Sequence, residues 1–264
     1  MLEDTNMNDR ERLAGYACRF QGDWKQIQHA WMHNIDTDET PADPFITILD
    51  KEYPPQLKQL QYAPWVLFYE GDITLLQKRM ITLVGTRKPS VQGAQAAIAI
   101  TSRLCRQFVI VSGLAKGVDG ICHRTALVHQ KPTIGVIAHG LDTVYPMVNQ
   151  DLYAAMKQQG LILSEFPRGT PVRKYSFPWR NRILAALSEA VIVVQASVHS
   201  GTMHTVREAL QLGKEIWCVP HPFQLEEGFG CNALIDDGAR ILYDLDQLQE
   251  IEQTKPVENA KRFV

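Results

Sequence analysis

Two short loops of the sequence contain the residue types that hold phosphate groups. The first is Val84-Gly85-Thr86-Arg87-Lys88-Pro89-Ser90, and the second is Ser112-Gly113-Leu114-Ala115-Lys116-Gly117. Glycine lets the backbone come close to a ligand, arginine can bind a phosphate through two N–H groups, and a serine hydroxyl can donate to it or cap the next helix. Both loops therefore predict phosphate binding. The alternative for the first loop alone is a tight turn with an exposed arginine.

The spacing of the glycines disfavours two common nucleotide sites. Neither loop fits the dinucleotide fingerprint G-x-G-x-x-G or the triphosphate loop G-x-x-x-x-G-K-[ST], so we predict no nucleotide cofactor. Asp119 and His123 follow the second loop, four residues apart on one face of a predicted helix. They could form a general acid–base pair, or a hydrogen bond on that helix face could order the loop. The sequence leaves both interpretations open.

The segment from Phe166 to Ser188 combines basic and aromatic side chains and contains no acidic residue. Its members are Arg168, Arg173, Lys174, Arg180 and Arg182, interleaved with Phe166, Tyr175, Phe177 and Trp179. Basic residues attract a phosphate backbone, and exposed aromatic rings stack on unpaired bases for about 1–3 kcal/mol each. This combination suits a single strand better than a duplex. The alternative is that Phe177 and Trp179 are core anchors at the start of a helix.

A further loop, from Gln195 to Thr205, places Ser200, Gly201 and Thr202 before another predicted helix and extends the same binding rim. No metal site is predicted, because the histidines at 123, 139, 199 and 204 lack neighbouring ligands at metal-binding spacing. Five cysteines are scattered without a C-x-x-C pair, so we also expect no disulfide and no structural zinc.

Apolar, β-branched runs alternate with helix-length segments from Ile81 onward. The predicted strands are Ile81–Val84, Phe108–Val111, Thr133–Ile137, Leu161–Leu163, Ala190–Val194 and Glu215–Val219. The predicted helices lie near Gly93–Arg106, Asp119–His129, Gln150–Gln159, Arg180–Leu187 and Thr202–Leu212. This alternation indicates a parallel sheet covered on both faces. We predict an α/β fold with an extended Rossmann-like, doubly wound, mostly parallel sheet, whose loops bind ligands at the carboxyl ends of the strands.

The first 36 residues predict a small helical head, since Leu13, Phe20, Trp24, Ile27 and Trp31 recur at helical spacing. Gly22-Asp23 divides this head into two helices. Residues 37–50 are acidic and contain two prolines, so we expect a linker and a head that moves relative to the body. The body spans 51–245 and begins with a β-rich run at Trp65–Tyr69. Residues 246–264 form a C-terminal helix or tail.

Charge is unevenly distributed along a chain of formal net charge −2. Residues 1–50 contain 4 Lys/Arg and 10 Asp/Glu, whereas the remaining 214 contain 23 and 19. The body is not basic enough to require a nucleic-acid partner by charge alone. No apolar run reaches the roughly 20 residues that cross a bilayer, and the first residues lack a signal-peptide layout. We therefore expect a cytoplasmic protein with no membrane association.

In their order along the chain, these motifs resemble the DNA-processing protein A family (DprA, also called Smf). The matching segments are VGTR at 84–87, SGLAKGVD at 112–119 with His123, FPWRNRI at 177–183, SGT at 200–202 and GCNALI at 230–235. The likeness covers residues from about 50 to 245. The resemblance implies a non-enzymatic, cofactor-free homodimer that binds single-stranded DNA, protects incoming DNA and loads the RecA recombinase in natural transformation.

Site residues follow from the resemblance by position. It implies that Arg87 and Ser90 hold backbone phosphate and that Ser112, Gly113, Lys116 and Gly117 line the same pocket. It also implies that Lys174 and Arg182 extend a basic track and that Phe177 contacts bases. The remaining expected contacts are Gly85, Thr86, Arg180, Asn181, Ser200, Gly201 and Thr202.

The chain departs from the family pattern at Gln195, where an acidic residue is usual, in the loop 200–206 and at His221. A second hypothesis is an enzyme of the related lysine-decarboxylase-like (LOG) group, which cleaves nucleoside monophosphates between base and sugar phosphate. Gly201, Thr205 and Glu208 match part of its loop, but His204 would crowd a phosphate that needs bare backbone. A third hypothesis is a nucleotide-sensing module that uses the same loops.

Overall fold

A computed structural model describes residues 8–253, and within this range the chain forms one nine-stranded sheet with helices on both faces. The strands are β1 (Phe45–Thr47), β2 (Val66–Gly71), β3 (Met80–Val84), β4 (Val109–Ser112), β5 (Thr133–Ile137), β6 (Leu161–Ser164), β7 (Ala190–Val193), β8 (Glu215–Cys218) and β9 (Arg240–Ile241). The helices are α1 (Asp9–Arg19), α2 (Trp24–Met32), α3 (Val91–Leu104), α4 (Val118–Val128), α5 (Gln150–Gln159), α6 (Ser176–Leu187), α7 (Thr202–Gln211), α8 (Phe229–Asp236) and α9 (Leu248–Gln253).

The strand order is β1-β2-β6-β5-β4-β3-β7-β8-β9. All pairings from β6 to β9 are parallel, and β1 and β2 add an antiparallel edge beside β6. The predicted doubly wound, mostly parallel sheet is therefore confirmed. Each of the six predicted strands is present with ends within one residue of the prediction.

Alternation along the strands explains why both faces are covered. On β3, Ile81 and Leu83 pack with α3, while Met80 and Val84 pack with α6 on the opposite face. Successive side chains of a strand point to opposite faces, so a continuous apolar run requires a helix layer on each side. The two layers bury the sheet and leave its loops at the edges.

The chain reverses its direction of winding at β3. Strands β4, β5 and β6 add on one side of β3, and the chain then crosses back to place β7 on the other side. Loops that leave the carboxyl ends of β3 and β7 diverge at such a point and open a crevice, which is where doubly wound sheets bind ligands. The loops singled out in the sequence lie at this crevice.

The predicted head forms two helices, but it packs against the body as part of one core. Leu13 and Tyr16 of α1 are fully buried in a cluster that includes Phe68 of β2 and Ile162 of β6. The Trp24 indole N–H donates to the carbonyl of Ala63 at 2.7 Å. The structure thus places the head on the body through a shared core, where the sequence predicts a separately moving unit.

The segment 37–50 also differs from the linker that its composition suggests. It contains β1, which pairs with β2 through Phe45–Thr47, and Arg10 of α1 donates to Asp50 at 2.9 Å. The acidic residues and prolines of this segment are compatible with a strand at the edge of the sheet, because charged side chains and proline prevent a further strand from pairing with it. The predicted C-terminal helix corresponds to α9, and the predictions for residues 1–7 and 254–264 lie outside the described range. None of the helices between residues 8 and 253 is long and apolar enough to cross a bilayer.

Candidate nucleic-acid interface

A cleft of about 620 Å³ opens at the carboxyl ends of β3 and β7, beside the start of α6. We call it the cleft; its lining residues are Val84, Gly85, Thr86, Arg87, Ala115, Asp119, Tyr145, Lys174, Phe177, Pro178, Arg180, Asn181, Leu184, Ser197, Ser200, Gly201, Thr202, His204 and Thr205. A side pocket of about 160 Å³ adjoins it, shares Arg87, Tyr145, Phe177 and Arg180 with it, and adds Gly113, Lys116 and His139.

The structure brings most of the expected contact residues to this cleft. Ten line the cleft itself, namely Gly85, Thr86, Arg87, Lys174, Phe177, Arg180, Asn181, Ser200, Gly201 and Thr202. Two more, Gly113 and Lys116, line the side pocket. The other four, Ser90, Ser112, Gly117 and Arg182, line neither cavity.

The loop after β3 is fixed from both sides by backbone contacts. Thr86 donates its N–H to the carbonyl of Gln195 at 2.7 Å, and its own carbonyl accepts from Val118 at 3.1 Å. A Cβ at Gly85 would lie 2.6 Å from Val118 Cγ2, so a side chain does not fit there. The loop is thereby held between β7 and α4, with the exposed Arg87 side chain at its tip.

Ser90 has a structural task in this loop. Its hydroxyl oxygen accepts from the Gly93 N–H at 3.0 Å and so caps α3. Both its N–H and its hydroxyl face the Gln195 side-chain oxygen, at 2.9 and 3.3 Å. Ser90 therefore caps α3 and ties the loop to Gln195, and it does not line the cleft where the resemblance implies a phosphate contact.

The loop after β4 presses against the first loop through Gly117. This residue has φ +73°, and a Cβ there would lie 2.3 Å from the carbonyl oxygen of Thr86. Only glycine satisfies both the left-handed conformation and this close approach. The Ser112 hydroxyl is buried and donates to the Leu83 carbonyl at 2.6 Å. Gly117 and Ser112 thus support the loops that line the cleft without lining it themselves.

Arg180 is a buried cation at the floor of the cleft. It donates to the carbonyl of Gly113 at 2.8 Å, to the carbonyl of Val136, and to Asn181 Oδ1 at 3.0 Å. Burial lowers the pKa of Arg180 to about 10, so the guanidinium remains charged near pH 7. A fixed positive charge therefore lies beneath the space that a phosphate would enter.

Asp119 is the one carboxylate among the residues that line the cleft, and it is buried. Its Oδ2 accepts from the Gly113 N–H at 3.1 Å. Burial raises its pKa, an effect that the nearby Arg180 partly offsets. His123 does not pair with Asp119, because its Nδ1 lies 2.7 Å from the Thr133 hydroxyl and burial lowers its pKa to about 3. Of the two open interpretations, the geometry favours an Asp119 that orders the loop.

Two aromatic rings form one wall between the cleft and the side pocket. Tyr145 and Phe177 have ring centroids 5.9 Å apart, and the Arg87 guanidinium lies 5.5 Å from the Phe177 centroid. Tyr145 is 41% exposed, so a flat apolar face is accessible to a ligand. Sequence reasoning missed Tyr145, since it lies in the long connection between β5 and α5 without a phosphate-type turn.

Arg182 does not lie on the basic track that the resemblance implies. Its side chain is buried and donates to Glu165 Oε1 at 2.6 Å and to the carbonyls of Tyr62 and Trp179, both at 3.1 Å. The Trp179 ring covers the guanidinium, with 4.2 Å from Cζ to the ring centroid. This charge is neutralised inside the protein, so it is not available to a ligand in the cleft.

Three cations at the rim are free to bind an anion. Arg87, Lys116 and Lys174 are exposed, and within residues 8–253 none of them forms an ion pair. Ser200 and Gly201 lead into α7, which begins at Thr202, and the positive end of the helix dipole there adds to the field in the cleft. The cleft therefore places free cations next to aromatic rings, so it can hold phosphates and flat rings close together.

No group of three or more His, Cys, Asp or Glu between residues 8 and 253 is arranged to hold a metal ion. Glu208, which the LOG-like hypothesis needs beside the phosphate loop, lines a different cavity on the far side of α6. His204 does line the cleft, as the crowding argument expected.

Comparison with known proteins gives consistent matches across the chain. The profile of the family described as DNA recombination-mediator protein A matches residues 44–253. The chain is 40% identical over 220 residues to DNA processing protein DprA of Bacillus subtilis (strain 168), which covers 83% of this chain and 74% of that protein. DprA of Streptococcus pneumoniae (strain ATCC BAA-255 / R6) is 39% identical over 75% of this chain and 71% of its own length.

Two solved structures agree with these matches. The X-ray structure of Streptococcus pneumoniae DNA processing protein A superposes with a TM-score of 0.80 and 32% identity, covering 95% of this chain and 94% of that one. A Helicobacter pylori DNA processing protein A, whose structure concerns its single-stranded DNA binding mode, has a TM-score of 0.72 and 31% identity over 80% and 96% of the two chains.

Proposed function

Because this chain belongs to the DNA recombination-mediator protein A family, we propose that its cleft binds single-stranded DNA. The observation that carries the proposal is that three rim cations without ion-pair partners and the Tyr145–Phe177 wall lie around the same cleft. Arg87, Lys116 and Lys174 attract backbone phosphate, and the two rings offer faces on which unpaired bases stack. A duplex hides its base faces, so this combination favours a single strand.

A titration of fluorescent oligothymidylate tests this proposal. Arg87→Ala removes a rim cation that makes no ion pair, so we expect binding at low salt to weaken about tenfold, as for loss of a charge-assisted contact of about 1.5 kcal/mol. Arg106→Ala is the matched control, since Arg106 is an exposed arginine at the end of α3, away from the cleft. Equal affinity of Arg87→Ala and wild type would contradict strand binding in the cleft.

Two further measurements, mononucleotide binding and an assay for free base released from AMP, separate the two other hypotheses. A mononucleotide that binds more tightly than an oligonucleotide would support a nucleotide-sensing module, whereas release of free base from AMP would support a LOG-like hydrolase. We propose neither activity, because Glu208, the glutamate that the LOG-like reaction needs beside the phosphate loop, lines another cavity.

We further propose that the protein acts as a cytoplasmic homodimer that protects incoming single strands and loads the RecA recombinase onto them. The family description as a recombination mediator supports this role. Strand exchange by RecA, started on DNA that is already covered by single-strand-binding protein, is the test. We expect the wild type to shorten the lag of this reaction and Arg87→Ala to shorten it less; an unchanged lag with the wild type would contradict the loading role.

A further inference from the structure

A second groove lies directly beside the cleft, on the other side of the start of α6. It has a volume of about 450 Å³, and Tyr62, Tyr175, Trp179 and Glu208 are among its lining residues. Pro178 lines both this groove and the cleft, so the two cavities meet at the first turn of α6. We call it the aromatic groove.

Two of its rings are held rigidly in place. Tyr62 and Trp179 have centroids 5.4 Å apart. Trp179 rests on the buried Arg182 guanidinium at 4.2 Å, and Tyr62 receives the edge of Trp24 at 5.2 Å. Rings that are already fixed lose little conformational entropy when a ligand stacks on them, which favours binding. The groove is therefore a prepared platform for flat, apolar groups.

A third ring stands at its entrance. Tyr175 is 65% exposed, although a tyrosine normally gains from burying its ring. Arg173 donates to its hydroxyl at 2.6 Å and orients the side chain. Lys174, the next residue, lines the cleft. Arg173, Lys174 and Tyr175 thus form a ridge that separates the two cavities and carries two positive charges.

The distribution of charge indicates which part of a strand each surface would take. Glu208 is the one carboxylate among the residues that line the aromatic groove, and it disfavours a phosphate inside. Arg182, also in its wall, is already neutralised by Glu165. Phosphates are instead attracted to Arg173 and Lys174 on the ridge, while uncharged bases enter the groove and meet the side-chain amides of Gln61 and Gln211.

We propose that the aromatic groove is a second base-binding site for the strand that occupies the cleft. The strand leaves the cleft over the 173–175 ridge, and its next bases stack in the aromatic groove. The proposal rests on single-stranded DNA binding in the cleft. It assigns to Tyr175 and Trp179 a contact with bases, and to the ridge a contact with the phosphates between the two sites.

An oligothymidylate series that grows by one nucleotide tests the second site. For the wild type we expect affinity to rise first as the cleft fills and again, about fivefold or more, when the strand reaches the aromatic groove. Tyr175→Ala should lose the second rise and bind the shortest oligonucleotides as the wild type does. Tyr175→Phe keeps the ring and should retain both rises. Thermal unfolding confirms that the variants are folded.

Other outcomes are equally informative. A Tyr175→Ala series that matches the wild type at every length would overturn the second site, and so would equal weakening at all lengths. An Arg87→Ala series that matches the wild type would instead contradict binding in the cleft, so the two failures are distinct. As an independent measurement, a strand with 5-iodouracil near its end should cross-link to Tyr175 or Trp179, with the residue itself identified within the peptide; cross-links confined to cleft residues such as Phe177 would overturn the proposal.

Discussion

Arg180 and Arg87 contribute to the same cleft through different environments. Arg180 is buried and donates to backbone carbonyls, so its charge is held at a constant position beneath the cleft. Arg87 is exposed, and its guanidinium lies 5.5 Å from the centroid of the Phe177 ring. A fixed charge attracts an anion without having to be ordered first, whereas a mobile one adapts to the spacing of phosphates. Together the two arginines suit a flexible ligand whose phosphates do not lie at fixed positions.

Gly113 is the residue on which the position of Arg180 depends. A Cβ at this position would lie 2.6 Å from Arg180 Nη2 and 2.7 Å from Asp119 Oδ2, closer than packed atoms allow. We expect Gly113→Ala to displace the guanidinium and to destabilise the fold by about 1–3 kcal/mol. Urea unfolding and oligothymidylate binding both measure this effect.

Gly201→Ala is the control for that substitution. Gly201 also lines the cleft, but its Cβ would meet nothing within 4 Å and its φ is not positive. We expect its unfolding midpoint to stay near that of the wild type. Equal stability of both variants would contradict the argument from close packing at Gly113.

The buried Arg182–Glu165 pair predicts a pH-dependent stability. Burial raises the pKa of Glu165, and Arg182 partly offsets this. Arg182→Met removes the offset and leaves a buried carboxylate, which costs about 3–5 kcal/mol. In the folded variant Glu165 keeps its proton above pH 4.5, where the same residue in the unfolded chain loses it. The free energy of unfolding of the variant is therefore retained below pH 4.5 and is lost as the pH rises through the raised pKa of Glu165.

The measurement is the melting temperature of wild type and Arg182→Met between pH 4.5 and 8. We expect the difference between them to grow with pH. The double variant Arg182→Met with Glu165→Gln cannot titrate at this site, so its difference from the wild type should be nearly constant. A gap that narrows toward pH 8 would show that Glu165 is not the group responsible.

At the scale of elements, α1 and α2 belong to the same core as the sheet. The head closes over β2 and α5, where it covers apolar side chains that would otherwise face water. Gly22 between the two helices has φ +76°, and its Cβ would lie 3.0 Å from the Glu165 carbonyl oxygen. The turn between α1 and α2 is thus fitted to the loop after β6.

Leu13→Ala tests whether head and body unfold together. Leu13 is fully buried in the shared cluster, so we expect a loss of about 2–5 kcal/mol in one cooperative transition. Met32→Ala is the control, because Met32 of α2 is 69% exposed and its truncation should have little effect. Two separate transitions, with only the smaller one shifted, would mean that the head folds independently.

At the scale of the whole molecule, local charge placement matters more than the net charge of −2. The rim cations are unpaired, whereas other arginines are neutralised by partners far along the chain, such as Arg79 by Glu189 and Arg103 by Glu252. An acidic protein overall can therefore present a positive cleft. Binding that depends on such a cleft must weaken with salt, because it releases counterions from the strand.

The dependence of DNA affinity on salt concentration measures how many phosphates the rim cations neutralise. A plot of log affinity against log salt concentration loses about 0.7 of slope for each phosphate contact removed from a single strand. We expect Lys116→Ala and Lys174→Ala each to reduce the slope by about this amount, and Arg106→Ala to leave it unchanged. Weakened binding with an unaltered slope would mean that the lysines act through structure and not through phosphate.

Much of the fold could be predicted because its signals are local. Apolar runs on β3 to β8 alternate with helical segments, and glycines mark the turns, so the sheet, its parallel character and the phosphate-type loops follow from short stretches of sequence. The edge strand β1 was missed because three residues between prolines and acidic side chains carry no strand signal. Helix α8 was not predicted as a helix for a similar reason, since its eight residues are too few for a clear period.

The sequence by itself determined which residue types are at the ends of the strands, since glycine, arginine and serine there follow from local turn and strand patterns. Only the tertiary structure decided what each side chain does. Arg182 and Arg87 have the same chemistry, yet Glu165 and the Tyr62 carbonyl, distant in sequence, bury one of them, while the other faces the cleft. Burial and ion pairing depend on which segments meet in space, and that is the property that local sequence patterns do not contain.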